Sequence, residues 1–107
     1  MEKIYIYLDR SERKNKKFVM NFSVKRDGED IVFYKTHFGD NRYSDYTIHR
    51  DAKRKERYLK RHMRNEDWND YSSPGSLSRF ILWNKKTIKD SLLDYADKFH
   101  LVVLNEE

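Results

Sequence analysis

Two alternating runs on either side of Asp27-Gly28 constrain this chain most. Before the dipeptide, Phe18-Val19-Met20-Asn21-Phe22-Ser23-Val24 sets Phe18, Met20, Phe22 and Val24 on one face. After it, Ile31-Val32-Phe33-Tyr34-Lys35-Thr36-His37-Phe38 is rich in aromatic and β-branched residues. Period-two alternation marks a strand with one buried face, and Asp-Gly between two such runs favours a tight turn. The pair reads as a β-hairpin. A third alternating run, Ile4-Tyr5-Ile6-Tyr7-Leu8, reads as a strand ahead of it. Between them lies a polar stretch, residues 9–17, with five basic residues against two acids, expected as an exposed loop.

The second half carries helical spacing. Gly39-Asp40-Asn41 closes the third strand and opens an aromatic-polar loop. A helix is predicted from near His49–Asp51 to about Met63 or Asn65, with Ile48, Ala52, Leu59 and Met63 roughly on one stripe. Asp51 with Lys55 and Glu56 with Lys60 form favourable i,i+4 pairs. Ser73-Pro74-Gly75 breaks the pattern, and residues 77–83 read as one or two helical turns. Thr87-Ile88-Lys89-Asp90 resembles a capping box. It opens a helix with Ile88, Leu92, Tyr95, Ala96 and Phe99 at helical spacing. Leu101-Val102-Val103-Leu104 reads as a last strand before the polar tail Asn105-Glu106-Glu107. Strands first and helices later argue for an α+β fold. The expectation is a single domain over residues 1–107. It would be a small antiparallel sheet, N-terminal strands plus a C-terminal strand, with two to three helices packed on one face.

Composition narrows the class. At 107 residues there is room for one modest core. Charged residues make up 38 % of the chain, which leans towards disorder, but 15 % are aromatic and the apolar residues fall into periodic groups. A folded domain with a heavily charged surface follows. The absence of cysteine excludes disulfides and thiolate metal sites. The start lacks the pattern of a signal peptide, and no apolar run approaches the ~18–20 residues of a membrane span. The chain is expected to be soluble and intracellular, or carried in an assembly made in the cytoplasm. Its net charge of +5 points to acidic partners: nucleic acid, acidic protein surfaces or anionic lipid.

That charge is concentrated. Residues 50–64 hold eight Lys or Arg against two acids. Lys53, Arg54, Arg57, Lys60, Arg61 and Arg64 are candidate contact residues on the basic helix, and Arg42, Tyr43 and Tyr46 on the preceding loop; the equal alternative for that loop is that Tyr43 and Tyr46 plug the core while Asp45 satisfies a helix start. Arg10, Arg13, Lys14, Lys16 and Lys17 form a second basic patch. Phosphates would be bound non-specifically and with strong salt dependence, and Tyr43, Tyr46 and Tyr58 could stack on bases. Arg and aromatic side chains equally suit a protein interface. Trp68 and Trp83 are expected in the core. His37, His49, His62 and His100, with Asp40, Asp45 or Asp51 nearby, offer acid–base chemistry. Their spacing matches no zinc or hydrolase motif, and there is no phosphate-cradling Gly-rich loop. The chain is therefore expected to act without catalysis, cofactor, metal or small-molecule substrate.

Several strings carry a further resemblance. They are His37-Phe38-Gly39-Asp40, Arg42-Tyr43-Ser44-Asp45-Tyr46-Thr47-Ile48-His49, Arg50-Asp51, Arg54-Lys55, Arg57-Tyr58, Arg61-His62 and Glu66-Asp67-Trp68. Residues 77–85 and the Thr87…Ser91 spacing join them. Together they resemble an uncharacterised family of small basic proteins encoded by large nucleocytoplasmic DNA viruses of eukaryotes. The resemblance implies a viral origin and a role in the virion or in replication, and it assigns no catalytic residue. The resulting expectation is a non-enzymatic virion structural protein of minor capsid or cement type. It would bind larger capsid or other virion proteins through the basic helix and the aromatic-polar loop, in the virion and in the host cytoplasm during assembly. The alternative is a non-specific DNA- or RNA-binding protein of the viral core or replication factory.

Overall fold

The structure, a computed structural model, describes residues 2–104; the tail Asn105-Glu106-Glu107 lies outside them. The hairpin forms as its sequence requires. β2 (Lys16–Arg26) and β3 (Glu29–Asp40) pair antiparallel around Asp27 and Gly28, whose φ angles of 53° and 81° are both positive. Two positive φ values are the mark of a type I′ turn, whose twist matches that of the strands it joins. The register slips once. Phe22 faces Tyr34 and Ser23 faces Val32, so Phe33 is an extra, bulged residue.

β1 (Tyr5–Arg10) pairs antiparallel with the other side of β2. The loop expected at residues 9–17 is shorter than the charge pattern suggested, because both strands extend into it. β4 (Val102–Val103) completes a four-stranded sheet of order β3-β2-β1-β4, and it runs parallel to β1. The sheet is therefore mixed, where the sequence suggested antiparallel pairing throughout. A parallel neighbour needs a long crossover, and the helical half of the chain supplies one.

Ile6, Met20, Phe22 and Phe38 are buried from the sheet. Leu77, Ile81, Leu82, Leu92 and Tyr95 are buried against them from the helical half. α3 (Pro74–Leu77) starts with Ser73 as cap and Pro74 in the first turn, then runs into a π-helical turn, Ser78–Leu82. α4 (Ile88–Phe99) opens on the Thr87 cap, whose hydroxyl accepts the Asp90 N–H at 3.1 Å. It closes on left-handed His100. The Tyr95 hydroxyl donates to the Tyr71 carbonyl at 2.7 Å, so this buried polar tip is satisfied. Among the described residues no helix is long and apolar enough to cross a membrane.

The basic helix starts and ends about where the sequence places it, but a separate one-turn helix precedes it. α1 (Tyr46–His49) ends at Arg50, whose φ of 54° is left-handed, and α2 (Ala52–His62) starts on an Asp51 cap. The expected stripe is also displaced. Ile48 and Met63 are 64 % and 60 % exposed, and Ala52 is exposed. The inward face is instead Lys55, Tyr58, Leu59 and His62, all only half-buried. Aliphatic spacing misled here because a Lys stem and a Tyr ring do the packing.

Gly39 fixes the exit of β3. Its φ is +81°, and a Cβ there would sit 2.8 Å from Leu82 Cδ1 and 3.2 Å from Lys17 Cβ. Gly39→Ala should cost roughly 1–3 kcal/mol in denaturant unfolding, from strain and collision together. Gly28→Ala should cost less, because a Cβ there meets nothing within 4 Å.

Candidate functional site

The loop after Gly39 is held by one carboxylate. Asp45 is buried, and its side chain pairs with the ammonium of Lys17 on β2. The same carboxylate caps α1 by accepting the Thr47 N–H at 2.9 Å, while the Asp45 carbonyl accepts N–H groups from Ile48 and His49. Further out, Asp40 grips Arg42 through two parallel bonds, Nε at 2.9 Å and Nη2 at 2.8 Å. The Arg42 side chain and backbone N–H hold the Asp40 carboxyl down at about 2.

Between this loop and α2 lies an open cleft of about 640 Å³. Lys17, Gly39, Asp40, Tyr43, Ser44 and Asp45 line one side. Arg54, Arg57, Arg61 and His62 line the other, with Tyr58, Ser78, Leu82 and Trp83 at the base. The volume falls in the range of small-ligand sites, ~300–1,000 Å³. The two acids are already engaged, Asp45 by Lys17 and Asp40 by Arg42. Among the described residues Arg54, Arg57 and Arg61 have no acidic partner within ion-pair distance. Tyr43 stands at the rim, 69 % exposed.

Stacked rings make the base rigid. Tyr58 lies 4.3 Å from Trp83 at an interplanar angle of 4°, and 4.2 Å from His62. Burial, with the Glu66 charge nearby, pushes the Tyr58 hydroxyl up to about 12, so it stays protonated. Behind α2 sit two more cations. Lys55 donates to the Asn84 carbonyl at 2.7 Å and lies over the Tyr46 ring. Arg79 lies over Trp68 and Phe80, and its Nε is buried without a hydrogen-bond partner. Burial lowers the pKa of both, and for Lys55 the neighbouring Arg79 and Lys85 charges add to it. The positive field at the cleft therefore comes from behind the helix as well as from its surface.

Of the residues singled out in the sequence, the cleft gathers Tyr43, Arg54, Arg57 and Arg61. Arg42 is tied to Asp40 and lies outside the lining. Tyr46 is buried under Lys55, so it is a packing residue and offers no contact surface. Lys53, Lys60 and Arg64 are exposed elsewhere on or beside α2, Lys60 within 3.6 Å of Glu56. Of the second basic patch only Lys17 enters the cleft, from a strand 28 residues before its partner. Trp68 and Trp83 are half-buried, packed against the core. Three of the histidines have side-chain partners. His37 Nδ1 is 2.7 Å from the Ser11 hydroxyl, and His49 Nδ1 accepts the Asp51 N–H at 2.9 Å. His62 lies 3.7 Å from Glu66, and His100 closes α4.

Residues 6–62 match the model of a family of unknown function, DUF5754. The chain belongs to that family. The DUF5754 match spans β1 to α2 and so includes Tyr43, Arg54, Arg57 and Arg61; Ser78, Leu82 and Trp83 lie beyond it. No curated protein and no solved structure matches the chain.

Removing one partner of a buried ion pair strands the other charge. Lys17→Met should therefore lower unfolding stability by about 3–5 kcal/mol, and Asp45→Asn added to it should recover part of the loss. A second expectation concerns acid. Desolvation lowers the pKa of both His37 and His49 from 6.5, helped by the Arg13 and Arg54 charges respectively. The folded chain then binds fewer protons than the unfolded chain below about 6.5, so stability falls as pH drops through that value towards the folded pKa. The urea midpoint should drop from pH 7.5 to pH 5, and by less in His37→Gln/His49→Gln. Asp40 adds nothing in this window, because its change lies between 3.8 and about 2.

Proposed function

We propose that this protein binds single-stranded nucleic acid, without sequence preference and without catalysis, through the cleft between the Asp40–Asp45 loop and α2. The observation that carries this reading is the row Arg54, Arg57 and Arg61. These are three guanidinium groups on one helix face, without acidic partners among the described residues, opposite the exposed ring of Tyr43. Positions i, i+3 and i+7 span ~10 Å of helix axis at ~1.5 Å per residue. Spread along that length, the three guanidinium groups can each meet a separate phosphate. Tyr43 supplies a face for base stacking, which tolerates any base. Tyr58 takes no part in stacking, since both neighbouring rings already contact it.

A second reading has its own support. The exposed apolar run of β3 suits a protein partner, and the resemblance to a family of large DNA viruses makes a structural part of a virus particle the alternative. In that reading the cement role belongs to the hairpin rather than to the Arg42–Tyr46 loop, because Arg42 and Tyr46 are already engaged.

Fluorescence anisotropy with labelled oligonucleotides tests the first reading. Affinity should fall with salt with a log–log slope of about −2, from ~0.7 per phosphate at three contacts. Arg57→Glu/Arg61→Glu should weaken binding at least tenfold while leaving the fold intact. Tyr43→Ala should weaken it about fivefold or more. A parent protein that ignores oligonucleotides at low salt defeats the proposal, as does binding unaffected by the Arg changes. Mass spectrometry of stepwise-disrupted particles separates the readings. Release by nuclease favours nucleic acid, and departure with shell proteins at moderate salt favours the structural role.

A further inference from the structure

We propose that two copies of this chain join through β3, edge to edge and antiparallel, about a two-fold axis at Val32. This rests on observations separate from the cleft. The strand order leaves β3 at the edge of the sheet with one side unpaired. Edge strands are commonly protected by charge or proline. Here Ile31, Val32, Phe33 and Tyr34 run together without either, each between 44 % and 52 % exposed. The molecule is elongated, 47 Å against 28 and 27 Å, and the run lies on the hairpin where helices do not cover it.

The occupant follows from self-complementarity. A two-fold axis normal to a sheet must pair a residue with itself, and Val32 is the choice that matches both ends. The bulge at Phe33 recurs in the second copy, so the register skips it on each side. Ile31 then faces Tyr34 of the second copy, and Asp30 faces its Lys35. On one face this continues the observed ladder of Val24 against Ile31 into Tyr34 and Phe22 of the other chain. On the opposite face Asp30, already 2.6 Å from Lys25, gains a second cation on its open side. Lys35 has no acidic partner among the described residues, so the pairing neutralises it. Opposite charges and apolar pairs across strands favour this register. The product is one continuous eight-stranded sheet with two charge pairs at the joint. The Phe33 bulge, elsewhere a guard against edge pairing, here fixes the register.

The cysteine-free sequence gives a direct test. Residues facing each other across antiparallel strands have Cα atoms ~4.5–5.5 Å apart, within disulfide reach. Val32→Cys should therefore oxidise to a covalent dimer, while Leu93→Cys, equally exposed on α4, should not at the same concentration. Sedimentation equilibrium of the full chain gives a second measure. Asp30→Lys and Lys35→Asp should each shift the parent dimer towards monomer at least tenfold. Mixing the two variants should restore the dimer, because every joint pair is then opposite in sign. Circular dichroism confirms that each variant keeps the sheet. A monomeric parent at tens of micromolar overturns the proposal. So does equal cross-linking at both cysteine positions, or failure of the mixture to recover.

Discussion

The buried pair of Lys17 and Asp45 holds this molecule in its working shape. One carboxylate ties a strand to a loop 28 residues later and caps the short helix that follows. Taking charges out of water costs several kcal/mol each, and the carboxylate is compensated by accepting from both the N–H and the hydroxyl of Thr47 as well as from Lys17. Its direction matters as much as its strength. It fixes the loop beside α2, and Gly39 lets β3 turn towards it without a side chain in the way. The cleft is the gap that remains when both constraints are met.

The hairpin was legible because its turn chemistry and its alternation agree. Asp27-Gly28 can adopt the two positive φ values that the strands' twist demands, and Phe18, Met20 and Phe22 supply one apolar face. The α4 boundaries were legible for the same reason, with Thr87 as cap and apolar residues at helical spacing. β4 was visible as a strand, but its direction was not. Strand direction depends on how the chain crosses the sheet, and local residues do not encode that. The left-handed Arg50 that separates α1 from the basic helix was not legible, because a basic residue in that conformation leaves no compositional trace, unlike glycine.

The candidate site was half legible. Charge density pointed to Arg54, Arg57 and Arg61, and exposure of a loop aromatic to Tyr43. Charge alone could not separate cations that are free from cations that are spent. Arg42 and Asp40 are two residues apart, a spacing at which a bidentate grip depends on the turn between them. Lys17 was invisible as a cleft residue, since its partner is distant in sequence. The DUF5754 match ends with α2, yet Leu77, Ile81 and Tyr95, which fill the core beneath the sheet, lie after it. The matched segment thus carries the basic face of the cleft and the Tyr58 ring, and the remainder supplies Trp83 beneath that ring and the Asn84 carbonyl that holds Lys55.

α2 contributes no fully buried residue. It rests on the body through the Tyr58–Trp83 stack, the stem of Lys55 and half of Leu59. Such an element can open while the sheet and α4 remain folded, because little apolar area must be exposed to release it. Its amide hydrogens then exchange with solvent far sooner than those of β2. A polyanion lying across Arg54, Arg57 and Arg61 would staple its turns together and slow that exchange. If the proposed binding holds, the helix that meets the polyanion is also the element whose ordering it would change, so occupancy would be written into backbone motion as well as charge.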